Sequence, residues 1–282
     1  MRRRKLADDE RAAVYVEFLV VFMPLFFLFL GMVQISMLYT AKLVVGHSAY
    51  RAARSAIVVL PDDPERYSGA PTDSVAYNET SSGIVPSTVR SFADFLGIDI
   101  PENLFTRGDA RLNMVRLSAA VPLLGIAPSP SYLQSQLGLS TGGSGESAES
   151  VIQAIGFTGN GIDGIGGRVG LGAVYTLAAM GVTFPSSPGA SAATSGTVTP
   201  ATHTRGATSE LTARVTYAYA CGVPWAGAMI CDGINGLSSQ GDGQGRDELN
   251  AAVTPITRLA GRGLFYALRA EHTMLYQGAD YY

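Results

Sequence analysis

The sequence predicts an α+β protein, in which a long N-terminal transmembrane helix extends into a domain built on an antiparallel sheet. Three observations carry this. Val14 to Leu38 is apolar except for Glu17, a basic cluster precedes that run, and two distant segments alternate apolar with polar residues. Of the 282 residues 47% are hydrophobic and only 15% charged, where an ordinary soluble domain is about 25% charged. Disorder driven by charge is thereby excluded. Lys plus Arg total 20 and Asp plus Glu 23, a net charge of -3, which leaves no basic surplus for neutralising nucleic-acid phosphates.

The first element is the apolar run. As a helix, Val14–Leu38 would measure about 37 Å, enough to cross a hydrocarbon core of about 30 Å. A cleaved secretory signal is the rival reading, but its apolar core is shorter and ends at an Ala-x-Ala-like site, which is absent here. Residues 1–12 form a basic leader. Arg2, Arg3, Arg4, Lys5 and Arg11 hold it in the cytoplasm and put everything after Tyr39 across the membrane. Asp8, Asp9 and Glu10 stand where a helix begins, favoured there by its dipole.

The helix is expected to run on to residue 60. Leu43, Tyr50, Ala53, Ile57 and Leu60 recur at helical spacing, Lys42, Arg51 and Arg54 mark a polar flank, and Pro61-Asp62-Asp63-Pro64 ends the run. Pro24 falls inside it, which a membrane helix tolerates. His47 is alone on this helix and reads as a packing or surface residue.

Residues 61–282 are expected to form one α+β domain. Residues 61–86 read as loop, with an Asn78-Glu79-Thr80 sequon. A short helix is expected after Pro86. Val115, Leu117, Ala119 and Val121 alternate with polar or small residues and predict a strand ended by Pro122. Leu211, Ala213, Val215, Tyr217 and Tyr219 predict a clearer strand, and the two are expected to pair antiparallel. Between them, about 125–209, lies a Gly/Ser-rich insertion, with a short helix expected over Leu171–Met180.

The sequence carries few residues in chemically telling patterns. Gly159-Asn160-Gly161-Ile162-Asp163-Gly164 fits the dinucleotide pattern, but no acidic residue follows at the distance a ribose ligand needs. Gly241–Glu248 is acidic and turn-rich without the alternating ligands of a calcium loop. His203 and His272 have no Cys or second His nearby in sequence. No cofactor, metal, nucleotide or catalytic set is expected. Cys221 and Cys231 bracket Gly-Val-Pro-Trp-Ala-Gly-Ala-Met-Ile. In an oxidising compartment they read as one disulfide, and two buried free thiols are the alternative.

Glu17 is the informative residue, because a carboxylate in an apolar span costs about 2.5–3.5 kcal/mol at the bilayer centre. One reading is that it snorkels to the near interface. The basic leader, Ala12-Ala13, then Val14-Tyr15-Val16-Glu17-Phe18 and a long apolar helix resemble the class III signal of type IV pilin-like proteins. Glu10–Phe18 with Pro24 and Ala52-Ala53-Arg54-Ser55-Ala56 resembles, more narrowly, the TadE-like family of tight-adherence (Flp) pilus systems. The segment Leu268–Tyr282 is similar to the ends of longer members. The resemblance implies a non-catalytic, pilin-like component of a pilus assembly or secretion machine, seated in a bacterial inner membrane with its domain in the periplasm. It implies cleavage by a prepilin peptidase between Ala12 and Ala13, where the family usually carries Gly before the cut. Glu17 becomes the fifth mature residue and Phe18 the sixth, and Glu17 would serve assembly by pairing with a neighbouring subunit. The implied partners are other pilin-like subunits and the pilus assembly platform. From another class, the alternative is an uncleaved, membrane-tethered periplasmic binding or adhesion module with a ligand surface around Trp225.

Overall fold

The computed structural model describes residues 10–77, 108–129, 172, 175–177, 179–190, 196–200, 209–223, 226–227, 230–231 and 265–276, with the side chains of the first helix given from Val14 onward. That helix, α1, runs unbroken from Glu10 to Val59 through Pro24. Among the described residues there follow β1 (Val75–Ala76), α2 (Ala110–Leu123), β2 (Met180–Thr183), β3 (Thr197–Val198), β4 (Ser209–Ala220) and β5 (Phe265–Tyr276). β1 and β3 pair antiparallel, and a second antiparallel sheet has the order β2-β4-β5.

The C-terminal half of α1 is part of the domain core. Its buried stripe is Ala41, Val45, Ala49, Ala52, Ala53, Ala56 and Val59, continued by Leu60 just past its end. These recur every three or four residues, as one face of a helix requires. Leu43, expected on the buried face, is instead exposed. The stripe is mostly alanine because small side chains let α2 and the sheet approach the helix backbone closely. Ser48 Oγ donates to the Ala119 carbonyl at 2.6 Å, and Ser118 Oγ to the Arg51 carbonyl at 3.4 Å, across that contact.

The segment read as a strand over 115–121 is α2, a correction with a clear cause. Asp109 caps it, accepting from Leu112 N at 2.7 Å and also holding Ala76 N at 2.9 Å. Leu112, Val115, Ala119 and Leu123 are buried at helical spacing, whereas Val121 is 47% exposed. The alternation was a by-product of Ala and Ser, which fit either period. The strand that begins at Ser209 is β4, as expected, but its partners are β2 and β5. Every residue of it from Leu211 to Ala220 is buried. Within the expected helix over Leu171–Met180, Gly172 and residues 175–177 are helical and Met180 opens β2. β2 pairs Met180–Thr183 with Tyr217–Arg214, so the stretch expected as an insertion contributes a strand to the sheet.

Arg111, 0% exposed, closes the end of α1. Its guanidinium donates to the carbonyls of Val59, Leu60 (3.2 Å), Asp62 (2.8 Å) and Ala70 (3.1 Å) and lies 4.5 Å from the Tyr67 ring centre. The last turn of α1 has no basic residue of its own, and its free carbonyls are met by this cation from α2. The expected helix after Pro86, the sequon at Asn78 and the motifs at 159–164 and 241–248 lie outside the described residues.

Candidate membrane anchor and assembly helix

From Val14 to Phe29 the side chains of α1 are exposed on every face, Phe18, Phe22 and Phe26 among them. These three rings stack in succession at centroid distances of 5.3 and 5.7 Å, one turn apart. A helix apolar all round and uncovered by the other described residues suits lipid as solvent. It is long and apolar enough to cross a membrane, and almost none of its most apolar stretch is buried. Ala12 and Ala13 lie within α1, and Glu17 and Phe18 are exposed on it about one turn further on.

Coverage by the domain begins at Gln34, which is 0% exposed although it sits inside the apolar run. Its Oε1 accepts from Val223 N at 3.3 Å, and its Nε2 donates to Cys231 Sγ at 3.9 Å. Ile230 Cδ1 lies 4.0 Å from where a Cβ on Gly31 would stand. Cys221 and Cys231 are at disulfide-bonding distance, with Cα atoms 6.6 Å apart. Between them Gly227 approaches so closely that a Cβ there would fall 2.9 Å from the Cys221 carbonyl oxygen. The loop is thus folded tightly on itself and seated on α1. The sequence flagged Glu17 in this helix and missed Gln34, whose signal was a lone amide in an apolar run. Trp225 lies outside the described residues.

An oxidised pair closing so short a loop is expected to contribute about 2–3 kcal/mol. The membrane-extracted protein, unreduced, should resist maleimide at both cysteines and gain two labels after reduction. Labelling without reductant would refute the bridge.

On the sheet, Arg214 and Glu271 face each other in register on β4 and β5. Arg214 is 0% exposed and donates through Nε to Glu271 Oε1 at 2.8 Å, with Arg269 at 3.1 Å and Gly189 N on Oε2 at 2.8 Å. Gly189, at φ 79, takes the left-handed turn that aims this N–H. Burial pushes the Glu271 carboxyl up, but the Gly189 N–H, Arg269 and Arg214 outweigh it and hold the group below its ordinary 4.5. The unfolded chain therefore binds the proton more readily. Stability from this group is complete above about pH 4.5 and falls away as pH drops through the lower folded value. Denaturation midpoints measured from pH 7 down to pH 3 should fall less steeply for Glu271→Gln than for the wild type.

His47 is exposed, and its ring lies 6.1 Å from Tyr50, which meets His272 edge-on at 5.1 Å. Among the described residues no group of three or more His, Cys, Asp or Glu is placed to hold a metal.

The helix is bare and apolar in its first half, long and apolar enough there to cross a membrane, and built into an α+β core in its second. The family model of TadE-like proteins matches residues 12–54, the stretch on which the sequence resembles that family. The match covers the anchor and leaves the sheet outside it. No curated protein and no solved structure matches the chain.

Proposed function

We propose that the protein is a non-catalytic, pilin-like subunit of a tight-adherence pilus assembly or secretion machine. Its N-terminus would be cytoplasmic and its domain periplasmic, with residues 1–12 as leader, 13–60 as the assembly helix and 61–282 as the rest of the domain. The observation that carries this reading is the family match over residues 12–54 on one continuous helix whose exposed apolar half includes Glu17. Such a helix is held by lipid alone or by like helices. Removal of the leader between Ala12 and Ala13 by a prepilin peptidase would create an α-amino group beside apolar side chains. Glu17 of a neighbouring subunit is the natural partner, because an unpaired charge there would be strongly unfavourable. The partners are other pilin-like subunits, the assembly platform and the inner membrane. No nucleotide, nucleic acid or cofactor enters the mechanism.

Deletion of the coding sequence tests this. Surface pili should disappear and return when the full chain is supplied in trans. Normal piliation in the deletion strain would favour the uncleaved, tethered binding module instead.

A further inference from the structure

A cleft of about 470 Å³ opens between α1, the turn that follows α2 and the end of β4. Sites for small molecules run to about 300–1,000 Å³. Its floor is Ala41 of α1 and Tyr219 of β4, both buried, and the half-buried Ile126 and Pro128 form a wall. Ser36, Met37 and Thr40 are exposed and make the rim on α1. No lining residue is charged.

Two observations say what fills it. The first is depth. Measured up the helix from Glu17, Ser36 stands at about 28 Å and Ala41 at about 36 Å, where a hydrocarbon core of about 30 Å gives way to headgroups. Measured from Val14, both stand about 4.5 Å higher, among the headgroups. The second is continuity. Phe22, Phe26, Phe29, Val33, Met37 and Thr40 follow one another three or four residues apart, so they share one face of α1. The three phenylalanines are exposed and Val33 is half-buried. A bare apolar track therefore leads along the span directly into the cleft.

We propose that the cleft holds the glycerol–ester region of a glycerolipid from the leaflet on the domain's side, with one acyl chain lying along the Phe22–Val33 track. The chain covers rings that the protein leaves bare, and the ester meets the rim. Ser36 brings a hydroxyl there that can donate to an ester carbonyl, while Thr40 Oγ1 donates its own proton to the Ser36 carbonyl at 3.0 Å. With no cation in the lining, the phosphate gains nothing from the cleft and stays in water, so the site is indifferent to headgroup charge. The inference rests on α1 crossing a bilayer and is independent of the pilus role.

The full chain is reconstituted into phosphatidylcholine vesicles containing a phosphatidylcholine with a diazirine near the ester end of one acyl chain. Alkaline carbonate extraction is run first, and a chain it releases would overturn the span and the site together. After photolysis, mass spectrometry should find Met37, Ile126 and Pro128 labelled several-fold above Ile35 and Tyr39, which are exposed at the same height and do not line the cleft. A phosphatidylglycerol probe should give the same pattern. Gly125 and Gly222 border the cleft, neither takes a left-handed φ, and a Cβ on either would meet nothing within 4 Å. Gly222→Leu, and separately Gly125→Leu, should therefore cut the label at Ile126 and Pro128 several-fold and leave Ile35 and Tyr39 unchanged. Equal labelling of all these positions in a carbonate-resistant chain would overturn the proposal, since only bulk lipid would then be present. Label at Ile35 and Tyr39 with none in the cleft would overturn it too, because protein, such as a second copy of the chain, would then fill the space.

Discussion

Replacing Arg111 with Met is expected to cost about 3–5 kcal/mol, a large share of the stability of a domain this size. The guanidinium serves the carbonyls of Val59, Leu60, Asp62 and Ala70 at once. An apolar side chain of similar length fills the space but takes the donor from the carbonyls of Val59, Asp62 and Ala70, while Leu60 keeps the Asp73 N–H at 2.9 Å, and each buried acceptor left unpaired costs about 1–3 kcal/mol. The Asp62 carboxyl, held below its usual range first by the Asp63 N–H and further by Tyr67, Arg66 and Arg111, would lose one of its supports. Arg111→Lys should recover part of the loss, because an ammonium is a single point of donation and cannot fork to four carbonyls. Denaturant unfolding of the detergent-solubilised chain, followed by circular dichroism, measures both. A Met variant within 1 kcal/mol of wild type would remove Arg111 from its place as the clamp at the end of α1.

Glu17→Gln should leave membrane insertion intact and abolish pilus production. The substitution keeps size and removes a charge whose burial costs energy, so the amount of protein in the membrane should hold or rise slightly. What it removes is the charge proposed to pair with a neighbouring α-amino group. Leaving that partner buried and unpaired costs about 3–5 kcal/mol at each contact between subunits. Asp9→Lys, in the leader, is the matched control and should assemble normally. Immunoblots of membranes and surface-sheared pili separate the two effects. Normal pili from the Glu17→Gln strain would reduce the glutamate to a snorkelling side chain.

The anchor was legible because composition and period agree along it: an apolar run, then helical spacing, then Pro61. β4 was legible because five apolar residues alternate with Thr and Arg. Its neighbour β5 was not, since Leu-Arg-Ala-Glu-His is rich in helix formers. Its strand state comes from pairing in full register with β4, a tertiary effect that overrides local preference. α2 was misread for the converse reason: Val115, Leu117, Ala119 and Val121 satisfy a two-residue period by chance, and the deciding contact, the Asp109 cap, lies before them. Arg111 and the Arg214–Glu271 pair gave no local sign. Their partners stand 41 to 57 positions away, where no periodicity reaches.

The pilin-like role is tested most directly by the intact mass and N-terminal sequence of the chain extracted from membranes that contain an active prepilin peptidase. Cleavage removes Arg2, Arg3, Arg4, Lys5 and Arg11 together with Asp8, Asp9 and Glu10, five positive and three negative charges, and takes the net charge from -3 to -5. The predicted product begins at Ala13 and appears only when the peptidase is active. A chain that keeps Met1–Ala12 in its presence would contradict the role and leave a tethered domain.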